Sequence, residues 1–310
     1  MDIIYIDYNN LNKNNEPIVA TIGQFDGLHV AHISLINKTI EIAKKKLMKS
    51  AIFTFDPHPD FVLKKDLSNV YITPLNEKVD ILSNLGLDYM FIIKFDLNIA
   101  GIEPNDFVNN ILVMNAVKEV VVGFDFSFGK NGKGKPNDIS QLSNNLINTT
   151  IIDEIKYNEE KIGTTLVKEF LKIGKLDEVY KLLGRYYKIS GKVVEGNKIG
   201  RTLDLPTANL KVDKQFANIK PGVYVVKVII KDKEYFGFAN LGYNPSFNES
   251  NDMIFETHIF NYSADLYGMI LEVELLSFIR EEIKFTSKEE FLKQIKIDKE
   301  KSINYLKKLI

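Results

Sequence analysis

Val19-Ala20-Thr21-Ile22-Gly23-Gln24-Phe25-Asp26-Gly27-Leu28-His29-Val30-Ala31-His32 decides the fold of the first half of this chain. A β-branched run ends at Gly23, an acidic turn follows at Asp26-Gly27, and amphipathic spacing then begins. That order predicts strand, loop and helix, with His29 and His32 on the helix's first turn. Residues three apart share a helix face, so both imidazoles can reach one ligand. A helix N-terminus adds unpaired N–H groups and partial positive charge, and the two glycines allow close backbone approach. These features describe a cradle for a polyphosphate. The competing reading is an ordinary turn whose histidines cap and pack.

Outward from this stretch, strand and helix patterns alternate. Residues 51–55 read as a strand broken by Asp56-Pro57-His58-Pro59, because two prolines continue neither a strand nor a helix. A helix is expected over 75–85, a strand over 89–95, a helix over 104–114 and a strand over 119–123. The alternation predicts an α/β domain with a doubly wound parallel sheet. Ligands of such sheets bind beyond the carboxyl ends of the strands. Loops 23–32, 56–59 and 123–134 are therefore expected to converge on one crevice.

Helical spacing returns over 164–183, interrupted near Gly174, and the boundary is placed at Gly184-Arg185, giving domains 1–183 and 184–310. Beyond it the period becomes two, over 187–194, 222–230, 235–239, 255–260 and 269–278. Strands without intervening helices predict an all-β unit, a compact antiparallel six-stranded barrel. A helix over 288–309 closes the chain, with Ser287 as its cap and Glu290 three residues on.

The bulk numbers narrow the function classes. A chain of 310 residues suits two domains, and 45% hydrophobic content supports globular cores. A net charge of −1 without a basic block argues against nucleic acid and anionic membranes as partners. No apolar run approaches the roughly 18 residues that span a bilayer. Absence of cysteine excludes disulfides, thiolate metal sites and a cysteine nucleophile. The expectation is a cytoplasmic protein acting on small molecules, with its oligomeric state open.

A second anchor is Gly200-Arg201-Thr202-Leu203-Asp204-Leu205-Pro206-Thr207-Ala208-Asn209. On an extended segment Thr207 and Asn209 face the same way, and their hydroxyl and amide oxygens are hard ligands suited to Mg²⁺. Turn chemistry alone also accounts for such a run. Further on, alternation puts Glu256 on one strand face with Ile254 and His258, where the plain reading is a solvated carboxylate. Arg280 follows the last expected strand.

The motifs taken together resemble one family. Gly-x-Phe-Asp-Gly-x-His-x-x-His at 23–32, Thr-Phe-Asp-Pro-His-Pro at 54–59 and Val-Gly-Phe-Asp-Phe-Ser-Phe-Gly at 122–129 resemble the bacterial bifunctional riboflavin kinase/FMN adenylyltransferases, or FAD synthetases. The Pro-Thr-Ala-Asn run, Gly222-Val223-Tyr224, Ala239-Asn240-Leu241-Gly242, Phe255-Glu256-Thr257-His258 and Leu266-Tyr267-Gly268 extend the likeness across nearly the whole chain. The resemblance implies that His29 and His32 meet ATP phosphates during adenylyl transfer to FMN, with Gly23, Phe25, Asp26 and Gly27 shaping the nucleotide pocket. It implies phosphate contacts from Thr164, Thr165 and Lys168, and flavin contacts from Asp56, Pro57, His58, Gly123, Asp125 and Phe128. For the kinase half it implies Gly200 and Arg201 at ATP, Thr207 and Asn209 at Mg²⁺-ATP, Glu256 as general base and Arg280 at flavin or phosphate. His258 is expected to be structural. Riboflavin, FMN, FAD and ATP would be substrates or products.

The chain departs from the family pattern in places. Ala31 stands before the second histidine where the family has glycine, Ser127 and Gly132 stand where it has arginines, and Lys168 replaces a third. Residues 162–165 read Ile-Gly-Thr-Thr, losing one hydroxyl. Lysine does not reproduce the fork of an arginine at a bidentate phosphate site. A riboflavin kinase with a weakened adenylyltransferase half, a flavin-binding regulator without turnover and transfer to another phosphorylated acceptor stay open at this point.

Overall fold

Ile18–Ile22 is buried along its whole length and forms the centre of the first unit. In the computed structural model, which describes residues 1–8, 14–65, 70–195, 207–212, 215–245 and 251–309, the chain divides into units Met1–Thr164 and Thr165–Ile310. The first unit holds β1 (Asp2–Ile6), β2 (Ile18–Ile22), β3 (Lys49–Asp56), β4 (Tyr89–Lys94), β5 (Val117–Gly123) and β6 (Asn148–Ile152). They form one sheet of order β1-β4-β3-β2-β5-β6, and every pairing is parallel. The strand order reverses between β2 and β5, which makes the gap beyond their carboxyl ends the switch point.

Both faces of the sheet are covered, as a doubly wound fold requires. Ile18, Ala20 and Ile22 join Phe53, Phe91, Ile93 and Phe107 in one core, while Val19 packs with Ile42, Ala43 and Val121 in another. The four strands expected from the sequence are present. The outer strands β1 and β6 lie at the sheet edges, and Ile3, Tyr5 and Ile151 on them stay exposed. Residues 104–114 are not a regular α-helix: an α-turn Pro104–Phe107 leads into a π-turn Val108–Leu112. The side-chain amide of Asn109 donates to the Asn105 carbonyl at 2.8 Å and that of Asn115 to Ile111 at 2.7 Å, so side chains compete for the ladder's acceptors. A short hairpin of β7 (Lys156–Tyr157) and β8 (Glu160–Lys161) follows.

The second unit opens with helices Thr164–Ile173, counted from its second residue on, and Leu176–Leu183, parted where Gly174 takes φ +75°. The periodicity change at 184 marks where helix gives way to strand, and the boundary between the two compact units lies nineteen residues earlier, between 164 and 165. Leu171 accepts a backbone bond from Lys220, and Leu182 and Leu183 are buried. β9 (Tyr187–Val194), β10 (Thr207–Val212), β11 (Gly222–Ile230), β12 (Lys233–Pro245), β13 (Asn251–Ile259) and β14 (Ile270–Arg280) close an antiparallel barrel of order β10-β13-β12-β11-β14-β9. The sixth strand, β10, carries Thr207 and Asn209. Helix Lys288–Leu309 ends the unit; Ser287 Oγ accepts from the Glu290 N–H at 3.1 Å, as its cap requires.

Candidate active sites

The loop after β2 keeps its shape through three left-handed residues, Phe25 (φ 52°), Gly27 (φ 81°) and Leu28 (φ 42°). Burial of the Phe25 and Leu28 side chains in the core holds two of them there. Gly27 is required, because a Cβ would add strain at that φ and stand 3.2 Å from Ile72 Cδ1. The Asp26 carboxylate accepts from the N–H groups of Ile72 and Thr73 at 3.2 and 3.0 Å. The Thr164 hydroxyl donates to the Asp26 carbonyl at 3.2 Å. Asp26 and Gly27 therefore build the loop; neither lines the space in front of it.

His29 is the N-cap of helix Val30–Lys46, one residue before the first turn. Its Nδ1 accepts from the His32 N–H at 3.3 Å, so a neutral ring carries its proton on Nε2. Capping and ligand reach are thus one arrangement. The two rings stack with centroids 3.6 Å apart and planes 16° from parallel. Burial, then the charges of His29, Lys78 and Lys161, holds the His32 imidazole well below its usual range. His32 Nδ1 is buried with no hydrogen-bond partner.

A cavity of about 330 Å³ opens at the switch point, lined by Gly23, Phe25, His29, His32, Gly123, Asp125 and Thr164 among others. Seven of the residues expected here are brought together, six from the β2 and β5 ends of the sheet and Thr164 from the start of helix Thr164–Ile173. Ala31 also lines it, so the methyl that departs from the family pattern faces the same space. The structure corrects other expectations. Asp56, Pro57 and His58 do not line the cavity. The His58 N–H donates to the Tyr71 hydroxyl at 2.9 Å, and its Nδ1 caps the short helix Pro59–Val62 by accepting from Asp60 N–H. Phe128 is a core residue, buried against Phe107 and Phe126, and its burial follows from the apolar face it completes. Thr165 and Lys168 fall in the second unit, on helix Thr164–Ile173.

Two lysines had no motif to announce them. Lys161, on β8, lines the cavity, pairs with Asp125 and lies 5.4 Å from the Phe124 ring centroid. Lys78, on helix Leu75–Ser83, is 2% exposed, and its ammonium donates to the Gln24 carbonyl at 2.6 Å. Ser127 and Gly132, the two positions where arginines are missing, are neighbours: a Cβ on Gly132 would stand 3.0 Å from Ser127 Oγ.

In the barrel, β13 pairs with β10 and β12 so that Asn209 and Asn240 flank Glu256 in register. Ala208, Leu210, Phe255 and Thr257 are buried, which leaves Thr207, Asn209, Glu256 and Asn240 on the outer face. Thr207 is exposed; Asn209 and Glu256 are half-buried, and burial pushes the Glu256 carboxyl up. A cavity of about 220 Å³ beside this row is lined by Thr207, Ala208, Thr257, Tyr262 and Asp265. Thr257 Oγ1 is buried there without a partner. His258 packs against Phe238 and Phe260. Gly200 and Arg201 lie outside the described residues.

Arg280 is committed elsewhere. Its Nε lies 3.0 Å from both carboxylate oxygens of Asp298, and Nη2 reaches one of them at 2.7 Å. Asp298 is fully buried on the C-terminal helix and also accepts from Gln294. The guanidinium thus ties β14 to that helix, because a buried carboxylate needs its counter-charge. The resemblance implied contact with flavin or phosphate here; the bonds the structure gives Arg280 Nε and Nη2 are those to Asp298.

The model of the FAD synthetase family matches residues 11–166 and that of riboflavin kinase residues 183–306. Bifunctional riboflavin kinase/FMN adenylyltransferase of Listeria monocytogenes is 35% identical, covering 94% of this chain and 93% of its own length. Its counterpart in Bacillus subtilis is 32% identical with 94% and 93% covered, and that of Escherichia coli K12 is 32% identical with 91% of each. A crystal structure from Streptococcus pneumoniae, described as a macrolide-efflux protein, superposes with TM-score 0.90 at 28% identity over 98% of this chain and 99% of that one. Among the described residues of the present chain, no helix is long and apolar enough to cross a membrane. By two family models in tandem and by full-length relatives above 30% identity, the chain belongs to the bifunctional riboflavin kinase/FMN adenylyltransferases.

Proposed function

We propose that the chain makes FAD from riboflavin in two ATP-dependent steps, one in each half. Riboflavin and ATP give FMN and ADP in the barrel; FMN and ATP give FAD and pyrophosphate in the α/β half, residues 1–183. The observation that carries this reading is the stacked His29–His32 pair at the switch-point cavity, on the same chain as a barrel that sets Glu256 between Asn209 and Asn240.

In the α/β half the FMN phosphate attacks the α-phosphorus of ATP and pyrophosphate leaves. Neutral imidazoles donate N–H groups to the charge that grows on the phosphoryl oxygens. Lys161, at the cavity wall, exchanges its exposed bond to Asp125 for a phosphate, since such surface pairs contribute little. In the barrel, residues 184–310, Glu256 accepts the proton of the riboflavin 5′-hydroxyl as that oxygen attacks the γ-phosphorus. Burial lifts the Glu256 carboxyl towards the range of a useful base. The neutral hard oxygens of Thr207 and Asn209 on one strand face fit Mg²⁺, which would neutralise phosphate charge. We assign both reactions to the cytoplasm, where a cysteine-free, ATP-consuming enzyme is at home.

The adjacency of Ser127 and Gly132 favours a second reading, a competent kinase with a weakened adenylyltransferase. Two cations are missing at one spot. Chromatography of flavins after incubation with riboflavin, ATP and Mg²⁺ separates the two. FMN that converts onward to FAD supports the first; FMN that accumulates even when supplied with ATP supports the second. Untouched riboflavin overturns both.

A further inference from the structure

Lys78 sits behind the motif loop rather than in the cavity, and the polyphosphate cradle leans on it. Its ammonium donates to the Gln24 carbonyl at 2.6 Å and contacts Thr54 Oγ1 at 3.4 Å; the Thr54 hydroxyl also donates to that carbonyl, at 3.0 Å. Both oxygens bonded to the ammonium are neutral. The Asp26 carboxylate nearby serves the backbone of Ile72 and Thr73 instead. A buried charge with neutral partners is costly, and a methionine would fill the same volume without the cost. The position is therefore not explained by core packing.

The bonds of Lys78 lead to the histidines. Gln24 directly precedes Phe25, whose backbone is left-handed and whose ring meets the His32 ring edge-on, with centroids 5.1 Å apart. The same Phe25 ring lies against Gly23, leaving 3.2 Å to any Cβ there. We propose that Lys78 is a positioning residue for adenylyl transfer: it ties the Gln24 carbonyl to β3 and so holds the loop, Phe25 and the His29–His32 pair in the shape that meets the phosphates. This rests on the adenylyltransferase reading of the α/β half.

The charge acts through space as well. His32 is faced by His29 at the cap of its helix, Lys78 from helix Leu75–Ser83 and Lys161 from β8, each lowering its proton affinity. Asp125, Asp153 and Glu154 also line the cavity. Lys78 itself faces Asp26 and Asp56, and burial brings it down to about 8. At neutral pH it is a charged lysine that helps keep His32 neutral.

The test compares Lys78→Met, Lys78→Arg and Thr54→Val with the unaltered full-length chain. It measures FAD formation from FMN, riboflavin phosphorylation as an internal control, and imidazole titration by NMR. Lys78→Met is expected to lower kcat for FAD formation by about tenfold or more while KM for ATP changes less. Its riboflavin phosphorylation stays unchanged, and the His32 midpoint moves up in pH. Lys78→Arg recovers part of the rate and the original His32 midpoint. Thr54→Val, which keeps the charge but loosens the carbonyl, lowers kcat without moving His32; it decides the matter should Lys78→Met fail to fold. Wild-type FAD formation with an unmoved His32 midpoint in Lys78→Met, or an unchanged kcat in Thr54→Val, overturns the inference. Should the unaltered chain make no FAD, the adenylyltransferase reading falls, and the His32 midpoint in Lys78→Met alone decides whether Lys78 governs the histidine pair.

Discussion

The imidazoles of His29 and His32 lie face to face, 3.6 Å between centroids, with His29 Nδ1 bonded to the His32 N–H. One ring caps the helix while the other is presented beside it, so the pair enters the cavity as a fixed unit. Two stacked imidazoles do not both take a proton readily, because the second cation would face the first.

Replacing His32 with asparagine should therefore reduce FAD formation by about 10²-fold. Riboflavin phosphorylation on the same chain should be unaffected. Parallel assays of the two activities check this, and equal loss of both would point to misfolding instead.

The same pair makes the α/β half sensitive to acid. The folded state lowers the proton affinity of His32 below its ordinary value of 6.5, so the unfolded chain binds the proton first on acidification. This stability contribution is fully present above about pH 6.5 and is lost as pH falls through the folded value. Thermal melts from pH 7.5 down to 5 should show the decline, and His32→Asn should flatten it.

Glu256 follows the opposite sign. Burial raises its carboxyl, so its favourable contribution to folding is present below the ordinary glutamate range and is lost as pH rises through the raised value. As a base it must be ionised, and the acid limb of riboflavin phosphorylation should fall above pH 4.5. Glu256→Gln should lower kcat by about 10²–10⁴-fold and abolish that limb. A variant retaining most of its rate would remove Glu256 from the mechanism.

Breaking the Arg280–Asp298 pair should cost stability rather than substrate affinity. Asp298→Ala leaves a guanidinium without its counter-charge, and losses of about 3–5 kcal/mol accompany such changes. Urea unfolding measures it. The KM for riboflavin should change far less than the midpoint.

Gly27→Ala forces a methyl to within 3.2 Å of Ile72 and a side chain into φ 81°. A penalty of about 1–3 kcal/mol is expected, with FAD formation falling more than riboflavin phosphorylation. A calorimetric scan with both assays distinguishes local from global damage.

The sequence by itself determined the elements whose causes are local. The β-branched run into Gly23 makes a strand and turn, the histidines follow at the start of a helix, and period-two stretches make strands wherever they occur. The family resemblance likewise singled out Gly23, Phe25, His29, His32, Gly123, Asp125 and Thr164, which do share one cavity. Burial and partnership are long-range properties, and only the tertiary structure decided them. β1 and β6 pair with β4 and β5 at the two sheet edges, partnerships between distant segments that no local pattern specifies. Phe128 turned inward to fill a core, and Arg280 turned to a carboxylate 18 residues away on another element. Lys78 and Lys161 carry the same side chain, yet one is sealed behind a loop and the other stands at a cavity wall. The free energy of a charge depends on the dielectric and the dipoles around it, and those are set by residues far off in the chain.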